Sequence, residues 1–463
     1  MCANFNVVQP MKKSILIIIF GFIYSLSAHA ADLLDVYQQA LCSDPIYQQA
    51  ISQRLATKEG VPISLSALLP NIVVTANPAI VRSAYSGANV QVFHYLPPNN
   101  TQRSYELALT ATQTVFNYSQ YFNLRASIAT SKSADAILNS ALQDLMVRTS
   151  SAYFAVLRDE ENLQYNEASK IAFGQQLDQI RQQYKVGLRT ITDVYTAQAS
   201  YDTAVANYIA AQTTLSNDRE NLRVITGVYY PHLAKLSGNF PLVSPQPADI
   251  DEWVHRTIHQ NWSIKAAQFN VENAKQTYQQ QLGGHFPTVS LEGQLDRIYT
   301  DNINGYNNLA LRPGPSTEVD RRVMLNINFP VFQGGNVVAE TNQAGYNYNI
   351  AQQQLEQTIR TSVNTARQSY LNLIAGICQI SADKQAIKST QSSLQGMQAS
   401  YEVGTETLVD VLNQRQRVVQ SQTQYATDRY NFVNTILSLK QAAGTLSFDD
   451  LRAINSWLIH NNQ

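Results

Sequence analysis

The strongest constraint on this fold is an internal duplication, in which two halves of the chain repeat at an offset of 217 residues (401 minus 184). Segment 184–194 reads YKVGLRTITDV, and segment 401–411 reads YEVGTETLVDV. A repeat that extends through both halves indicates two copies of one structural unit. Other aligned pairs are Pro70 and Pro287, Tyr153 and Tyr370, Tyr208 and Tyr425, and Gly227 and Gly444.

The spacing of apolar residues predicts long helices in each half. The last helix of each half has seam positions at alternating intervals of four and three residues, a heptad pattern that packs against neighbouring helices. The helix before it covers 120–184 and 337–401, and about 65 residues at 1.5 Å each extend roughly 98 Å. The seams include Val194, Tyr201, Tyr208, Leu215 and Leu222, and then Val411, Val418, Tyr425, Phe432 and Leu439.

Each half is expected to contain a helix, two strands, a long helix, a tip and a second helix. The strands are predicted from alternating apolar and polar residues. The expected bounds are a signal peptide at 1–30, a first repeat at 31–227 with strands at about 71–85 and 104–116, a linker at 228–249, a second repeat at 250–444 with strands at about 287–300 and 318–332, and a C-terminal segment at 445–463.

The first 30 residues have the pattern of a cleaved secretory signal. Two lysines at 12–13 precede an apolar stretch at 15–26, and 28–30 (AHA) supplies small residues for cleavage after Ala30. Met11 is an alternative start. The exported chain then has a formal charge of 31 − 34 = −3, which gives no basic surface for nucleic acid. Cys42 and Cys378 are expected to be isolated thiols on helices.

The predicted strands have about ten residues each, the length of a tilted transmembrane β-strand with one apolar and one polar side. Half-buried strands of soluble proteins alternate in the same way. Loops rich in Asn, Gly and Pro at 86–102 and 301–317 favour the membrane interpretation. Two groups of aromatic residues resemble membrane girdles: Tyr85, Tyr95, Tyr105, Tyr299 and Tyr306 at one end, and Phe116, Phe329 and Phe332 at the other.

Four strands cannot close a barrel by themselves. An open sheet edge in lipid leaves backbone groups unsatisfied, at several kcal/mol each. Two chains would supply eight strands around a lumen filled by side chains, whereas three would supply twelve and leave room for a channel. A transport function would select three copies, and on that basis we predict a homotrimer in outer-membrane lipid.

The chain resembles the TolC family of outer-membrane efflux proteins over nearly all of its exported length. The resemblance implies a fold that is mainly α with β: a duplicated chain whose long coiled-coil helices form a trimeric α-barrel tunnel, plus a 12-stranded transmembrane β-barrel with four strands per subunit. Segments 228–249 and 445–463 would contribute to an equatorial belt. The motifs are 33–40 (LLDVYQQA), 191–194 (ITDV), 225–231 (ITGVYYP), 330–335 (PVFQGG), 401–404 (YEVG) and 443–447 (AGTLS).

The same resemblance implies a function and partners. The implied activity is drug efflux, type I protein secretion or both. The expected partners are a periplasmic adaptor protein and an inner-membrane efflux pump or ABC exporter. The expected location is the bacterial outer membrane, with helices extending into the periplasm.

The turns between the paired helices are the predicted functional site. Gly187 and Gly404 suit the left-handed position after a helix C-terminus, and Thr190 and Thr407 suit the next N-caps. The resemblance implies that Asp410 lines a periplasmic constriction, where three copies would favour cation binding. The adaptor-facing tips are predicted at Val186, Gly187, Leu188, Val403, Gly404 and Thr405.

This sequence departs from the family pattern at two of the implied positions. Asn413 stands where the family has a second constriction aspartate, so we expect weaker cation binding. Glu406 stands where the family has an arginine that links the tips. Arg189 lies at the equivalent place in the first half, and we hypothesise that it pairs with Glu406 in a link of reversed polarity. The other positions of this gate link are Asp193, Thr192 and Tyr401.

No motif for catalysis, a cofactor or a metal is apparent. His255 and His259 are spaced i, i+4, but without a third ligand they are interpreted as surface histidines. Two other classes of function stay open at this point. A periplasmic adaptor would show one hairpin with flanking β-rich modules, and a soluble coiled-coil protein would lack lipid-facing strands.

Overall fold

The computed structural model describes residues 30–84, 99–304 and 314–459. Residues 1–29 of the predicted signal at 1–30 lie outside the described residues, as do Tyr85, Tyr95 and Tyr306. The helices are α1 (Leu33–Ser43), α2 (Pro45–Lys58), α3 (Gly60–Ser66), α4 (Tyr118–Lys185), α5 (Ile191–Thr226), α6 (Ile250–Gln260), α7 (Trp262–Leu282), α8 (Asn336–Glu402), α9 (Leu408–Ala442) and α10 (Phe448–Asn455). The strands are β1 (Asn71–Ala84), β2 (Asn99–Phe116), β3 (Thr288–Asn304) and β4 (Ser316–Asn328).

The predicted class, mainly α with a small β component, is confirmed. The long helices α4 and α8 have 68 and 67 residues, close to the length that the periodicity predicts. None of the helices in the described ranges has a stretch long and apolar enough to cross a membrane.

The chain divides into two compact units, and each unit takes segments from both halves of the duplication. The first, here called the helical unit, comprises the residues up to Gln53, Ala136–Lys265 and the residues from Gln357 onward. The second, here called the sheet unit, comprises Arg54–Asp135 and Ala266–Glu356. The duplicated half is therefore a unit of sequence, whereas the packed unit combines both copies.

The core of the helical unit is formed by aromatic and aliphatic side chains of α1, α4 and α9. The Tyr153 hydroxyl of α4 is buried and donates a hydrogen bond to the carbonyl oxygen of Ala234 at 2.7 Å. The neighbouring Phe154 lies with its ring centroid 6.0 Å from that of Tyr430 on α9. Such pairs add directional stabilisation to the burial of apolar area.

The two heptad helices are buried to different extents. Thirteen residues of α9 are buried within the chain, but only five of α5, so α9 is the more central helix. Along α5 the fully buried positions near the tip are Ala197 and Ala204, while the predicted seam residues Val194 and Tyr201 are half-buried. Alanine has little side-chain volume, which allows close approach of helices.

The four strands form one antiparallel sheet in the order β1-β2-β3-β4. The strand β2 begins at Asn99, five residues before its predicted start, and β3 continues to Asn304. The strand β4 ends at Asn328, so Phe329 and Phe332 follow the strand instead of lying in it. Pro330 lacks an N–H for the ladder, which explains the early end.

The sheet has a more exposed face and a more buried face. In β2 the odd-numbered residues Tyr105, Leu107 and Leu109 are exposed, while Ala108 on the other face is 5% exposed. In β3, Leu295 is exposed and the adjacent Asp296 is only 4% exposed. The more exposed face, which carries the odd-numbered residues of β2 and β3, is here called the convex face, and the opposite face the concave face.

Two glycines at equivalent positions of the repeat provide a test of the helical packing. Gly444 ends α9 at φ +72°, and a Cβ there would lie 2.4 Å from the carbonyl oxygen of Gln260. Gly227 ends α5 at φ +71°, but its Cβ would meet only the Ser43 side chain, at 3.7 Å. Gly444→Ala is therefore expected to lower the free energy of unfolding by about 2–4 kcal/mol, from left-handed strain plus overpacking. For Gly227→Ala the strain alone predicts about 1–2 kcal/mol.

The measurement is the thermal unfolding midpoint of both variants, followed by helical circular dichroism in the same detergent. Gly444→Ala should have the lower midpoint. Equal midpoints would contradict the close approach of Gly444 to the backbone of Gln260.

Candidate functional site: the paired helical tips

The turn between α4 and α5 is closed by a paired hydrogen-bond motif at the helix C-terminus. The N–H of Gly187 donates to the Tyr184 carbonyl at 2.9 Å, and the N–H of Leu188 donates to the Gln183 carbonyl at 2.9 Å. Gly187 has φ +79°, which is a left-handed conformation. It causes no strain in glycine, whereas it costs a residue with a β-carbon about 1–2 kcal/mol.

The turn between α8 and α9 repeats this geometry. The N–H of Gly404 donates to the Tyr401 carbonyl at 3.1 Å, and the N–H of Thr405 donates to the Ser400 carbonyl at 2.9 Å. Gly404 has φ +83°. The sequence YxVG at the end of each long helix therefore encodes the same turn twice.

Each following helix begins with a threonine cap and an aspartate. The Thr190 hydroxyl oxygen accepts from the N–H of Asp193 at 3.2 Å, and the Asp193 carboxylate accepts from the Thr190 N–H at 3.0 Å. At the second tip the Thr407 hydroxyl oxygen accepts from the Asp410 N–H at 3.3 Å, and the same hydroxyl donates to the Asp410 carboxylate. Both aspartates thus stabilise helix N-termini, where negative charge is favourable.

The tips of the two hairpins share one apolar cluster in the helical unit. Side chains of α4 and α5 pack with side chains of α8 and α9, so the two halves contact each other here. This cluster fixes the relative position of the two tips within one subunit. Its buried members are Phe173, Leu177, Ile180, Ala197, Ala204, Tyr401, Leu408, Val411 and Leu412.

Arg189 connects the first tip to the end of α8. Its guanidinium carbon lies 4.4 Å from the centroid of the Tyr401 ring, a cation–π contact, and its Nε donates to Gln183 Oε1 at 3.3 Å. The Tyr401 side chain is 7% exposed, and its hydroxyl has no hydrogen-bond partner among the described residues. Burial raises the pKa of the Tyr401 phenol, the positive charge of Arg189 acts against this rise, and the Asp193 carboxylate adds to it.

The two predicted constriction residues, Asp410 and Asn413, have different surroundings in the chain. Asn413 is exposed and lines the groove between α5 and α9, of about 610 Å³, together with Thr192 of the predicted gate link. Asp410 is half-buried at the start of α9. In one subunit, the cap hydrogen bonds hold Asp410, while Asn413 faces the open groove.

The predicted pair between Arg189 and Glu406 is not formed within one subunit. Among the described residues, no ion pair joins their side chains, and Glu406 is exposed. Arg189 instead contacts Tyr401, a member of the predicted gate link for which the sequence suggested no specific partner.

The ends of both tips expose apolar side chains. Val186, Leu188 and Val403 are 70%, 73% and 76% exposed. Isolated exposed apolar residues are common, but three at the ends of adjacent hairpins give a surface suited to another protein.

A further tip contact was not predicted. The guanidinium carbon of Arg415 lies 5.9 Å from the Phe173 ring centroid, and burial lowers the pKa of Arg415. A charged residue at a heptad seam position was the available signal, because buried seam arginines need a partner.

The described residues contain no group of three His, Cys, Asp or Glu side chains that could hold a metal ion. His255 and His259 are exposed on α6, with ring centroids 4.4 Å apart. Cys42 and Cys378 are exposed on α1 and α8.

Comparison with known proteins identifies the family. The model of the outer membrane efflux protein family matches residues 36–228 and again residues 253–445, so the second match starts and ends 217 residues after the first. Each half of the duplication therefore matches the family model separately.

Known relatives agree with this match. The chain is 35% identical over 454 residues to outer membrane protein TolC of Salmonella enteritidis, covering 97% of this chain and 90% of that protein. It is 24% identical over 429 residues to the alkaline protease secretion protein AprF of Pseudomonas aeruginosa, covering 92% of this chain and 87% of that protein.

The fold is similar to that of solved channels. The crystal structure of the Campylobacter jejuni CmeC outer membrane channel matches with a TM-score of 0.75 and 14% identity, covering 98% of both chains. With the duplicated helical hairpins, the four-stranded sheet and the double family match, the chain belongs to the outer membrane efflux protein family.

Proposed function

We propose that three copies of this chain form an outer-membrane channel-tunnel for drug efflux, type I protein secretion or both. The similarity to TolC and to a protease secretion protein supports this class of transport. The channel would work with a periplasmic adaptor and an inner-membrane efflux pump or ABC exporter.

The open edges of the sheet carry this proposal. Among the described strands, β1 and β4 each pair on one side only, which leaves two edges of 14 and 13 residues. On the convex face, Ile72, Val323 and Ile327 are 66%, 80% and 66% exposed. Pairing β1 of one copy with β4 of the next satisfies the edges, and lipid covers the apolar face. Three copies give twelve strands, enough for a lumen.

The helices give a second argument for a ring. Residues of α5 remain exposed in one subunit, including Tyr195 at 67% and Ile209 at 54%. A heptad helix that buries so little within its own chain needs a neighbouring helix from another copy. The helices of three copies would then form the tunnel.

The tips are the proposed docking and gating region. The adaptor would contact the ends of both tips, at Val186, Gly187, Leu188, Val403, Gly404 and Thr405. A photo-crosslinker placed at Leu188 or Val403 tests this contact. Capture of no periplasmic protein would contradict it. Asp410 and Asn413 would line the constriction, with one carboxylate per subunit.

The assembly is tested by cell fractionation and gel electrophoresis of the full chain. We expect the protein in the outer-membrane fraction, and a trimer band in unheated samples that shifts to a monomer band after boiling, because closed barrels resist detergent. A water-soluble monomer that remains folded without detergent would contradict the proposal.

The constriction is tested by planar-bilayer conductance with added divalent or trivalent cations. Asn413→Asp creates a second carboxylate ring and should lower the blocking concentration of cation about tenfold, since a further 1.4 kcal/mol of attraction corresponds to that factor. Asp410→Asn should abolish block. The control is Asp202→Asn, an exposed carboxylate on α5, which should leave block unchanged. Identical block in all variants would place the constriction elsewhere.

The gate link is tested by the closed-state conductance of three variants. Arg189→Ser removes the contact with Tyr401 and should raise the closed-state conductance severalfold. If Arg189 also pairs with Glu406 of a neighbouring subunit, Glu406→Ser should open the channel similarly, and the swap Arg189→Glu with Glu406→Arg should close it again. An effect of Arg189→Ser alone supports the Tyr401 contact, and no effect of either single change rules out both links.

A further inference from the structure

The convex face of the sheet carries an arginine on every strand. The register places Val74, Leu109 and Leu295 in one row across three strands, and Leu107 and Val319 flank Arg297 in the next row outward. By the same alternation the convex face holds four guanidinium groups: Arg82 of β1, Arg103 of β2, Arg297 of β3 and Arg321 of β4.

The acidic residues of the strands lie almost entirely on the opposite, concave face. Asp296 stands directly opposite Asp320 there, and Glu106 stands opposite Ile298. On the convex face the strands carry a single carboxylate, Asp301, opposite Arg103. The complete set of concave-face carboxylates is Glu106, Glu292, Asp296, Glu318 and Asp320.

The convex arginines differ from the concave one in their partners. Arg322 on the concave face forms an ion pair with Asp320 at 2.9 Å. Within the described parts of the chain, none of the four convex arginines forms an ion pair with a carboxylate. The loops between the paired strands, 85–98 and 305–313, contain no Asp or Glu in the sequence. A neighbouring copy has the same faces, so it offers no carboxylate to this face other than Asp301.

Along the strands, these arginines lie near one end of the apolar band, which is the part of the convex face that would contact lipid. Tyr105 and Tyr299 stand opposite each other with ring centroids 6.1 Å apart. Tyr105 lies eleven residues before Phe116 on β2, and Tyr299 lies ten residues after Val289 on β3. For strands tilted by about 40°, this separation corresponds to about 25 Å along the membrane normal. This equals the usual height of the lipid-facing band, so the two tyrosines mark its outer boundary.

The arginines lie on both sides of this boundary. Arg103 stands one row outside the tyrosines, and Arg82 a further row out. Arg297 is one row inside them, and Arg321, diagonal to Arg297, is two rows inside. A charged side chain facing lipid is unfavourable at the midplane and nearly neutral at the interface, where long side chains extend toward the headgroups. Arg103 stands opposite the Asp301 carboxylate, whereas the register places no carboxylate opposite Arg82, Arg297 or Arg321. An anion from the lipid would neutralise the charge of these three guanidinium groups.

We propose that Arg82, Arg103, Arg297 and Arg321 bind the phosphate groups of a phosphorylated lipid in the outer leaflet. Guanidinium groups bind phosphate oxygens through two parallel hydrogen bonds, which gives specificity as well as attraction. The apolar rows beneath the arginines would contact the acyl chains of the same lipid. This proposal rests on the proposed function, because it requires the convex face to be in a membrane.

The test is native mass spectrometry of the detergent-solubilised full chain, titrated with lipid A that carries two phosphates. The paired substitution Arg297→Gln with Arg321→Gln should raise the half-saturating concentration about tenfold, the factor expected for the loss of a charge-assisted hydrogen bond. The matched control Arg322→Gln removes the same charge from the concave face and should bind as the wild type does. Arg297→Lys with Arg321→Lys keeps the charges and should restore part of the binding.

Further arms separate the possible sources of phosphate and the possible failures. Phosphatidylcholine should bind at least tenfold more weakly than lipid A, and inorganic phosphate at the same concentration should not compete. Equal lipid A binding by the wild type and by the paired glutamine variant overturns the proposal, as does full competition by inorganic phosphate.

If the glutamine pair does not fold, Arg82→Gln with Arg103→Gln provides the same comparison outside the tyrosine boundary. A protein that fractionates to the outer membrane but fails these tests removes only the lipid site, whereas a protein absent from that membrane removes the proposed function as well.

Discussion

Backbone hydrogen bonding along the edges of the sheet is the requirement on which the proposed assembly depends. Each residue of β1 and β4 that faces outward from the four-stranded sheet offers N–H and C=O groups that no other described strand satisfies. In water such groups would be hydrated, but beside lipid they must be paired within protein. The exposed apolar side chains of the same strands favour the second solution. This is the physical reason for the proposed closure of the sheet by other copies of the chain.

The same incompleteness extends to the helices. Within one subunit α9 is well buried and α5 is not, although the two helices occupy equivalent places in the duplicated sequence. Duplication thus supplies two similar hairpins that have different surroundings. This difference gives the second tip, with Tyr401 and Leu408 in the shared cluster, a partner within the chain, while much of α5 stays exposed. Contacts such as that between Arg189 and Tyr401 then connect the two tips, so a movement of one hairpin is resisted by the other.

The sheet separates its charges by face. Carboxylates lie on the concave side with Arg322, and four arginines lie on the convex side among leucines, valines and tyrosines. In the proposed barrel the concave side lines a negatively charged lumen, and the convex side meets lipid. The period-2 alternation of a strand lets the two faces acquire opposite character in one sequence.

The sequence alone determined the class of fold, the duplication, the long helices and the turns at Gly187 and Gly404, because periodicity, repeat offset and glycine position are local properties of the chain. It located the strands, but β2 begins several residues earlier than predicted, because partner strands continue beside it, and β4 ends several residues earlier, because Pro330 lacks an N–H for the ladder. Only the tertiary structure decided that Ala197 and Ala204 lie at the buried seam, that Arg189 contacts Tyr401 within the chain, and that each compact unit draws on both halves. These features depend on which side chains distant segments bring together, and the pattern of one segment carries no information about the partner that faces it.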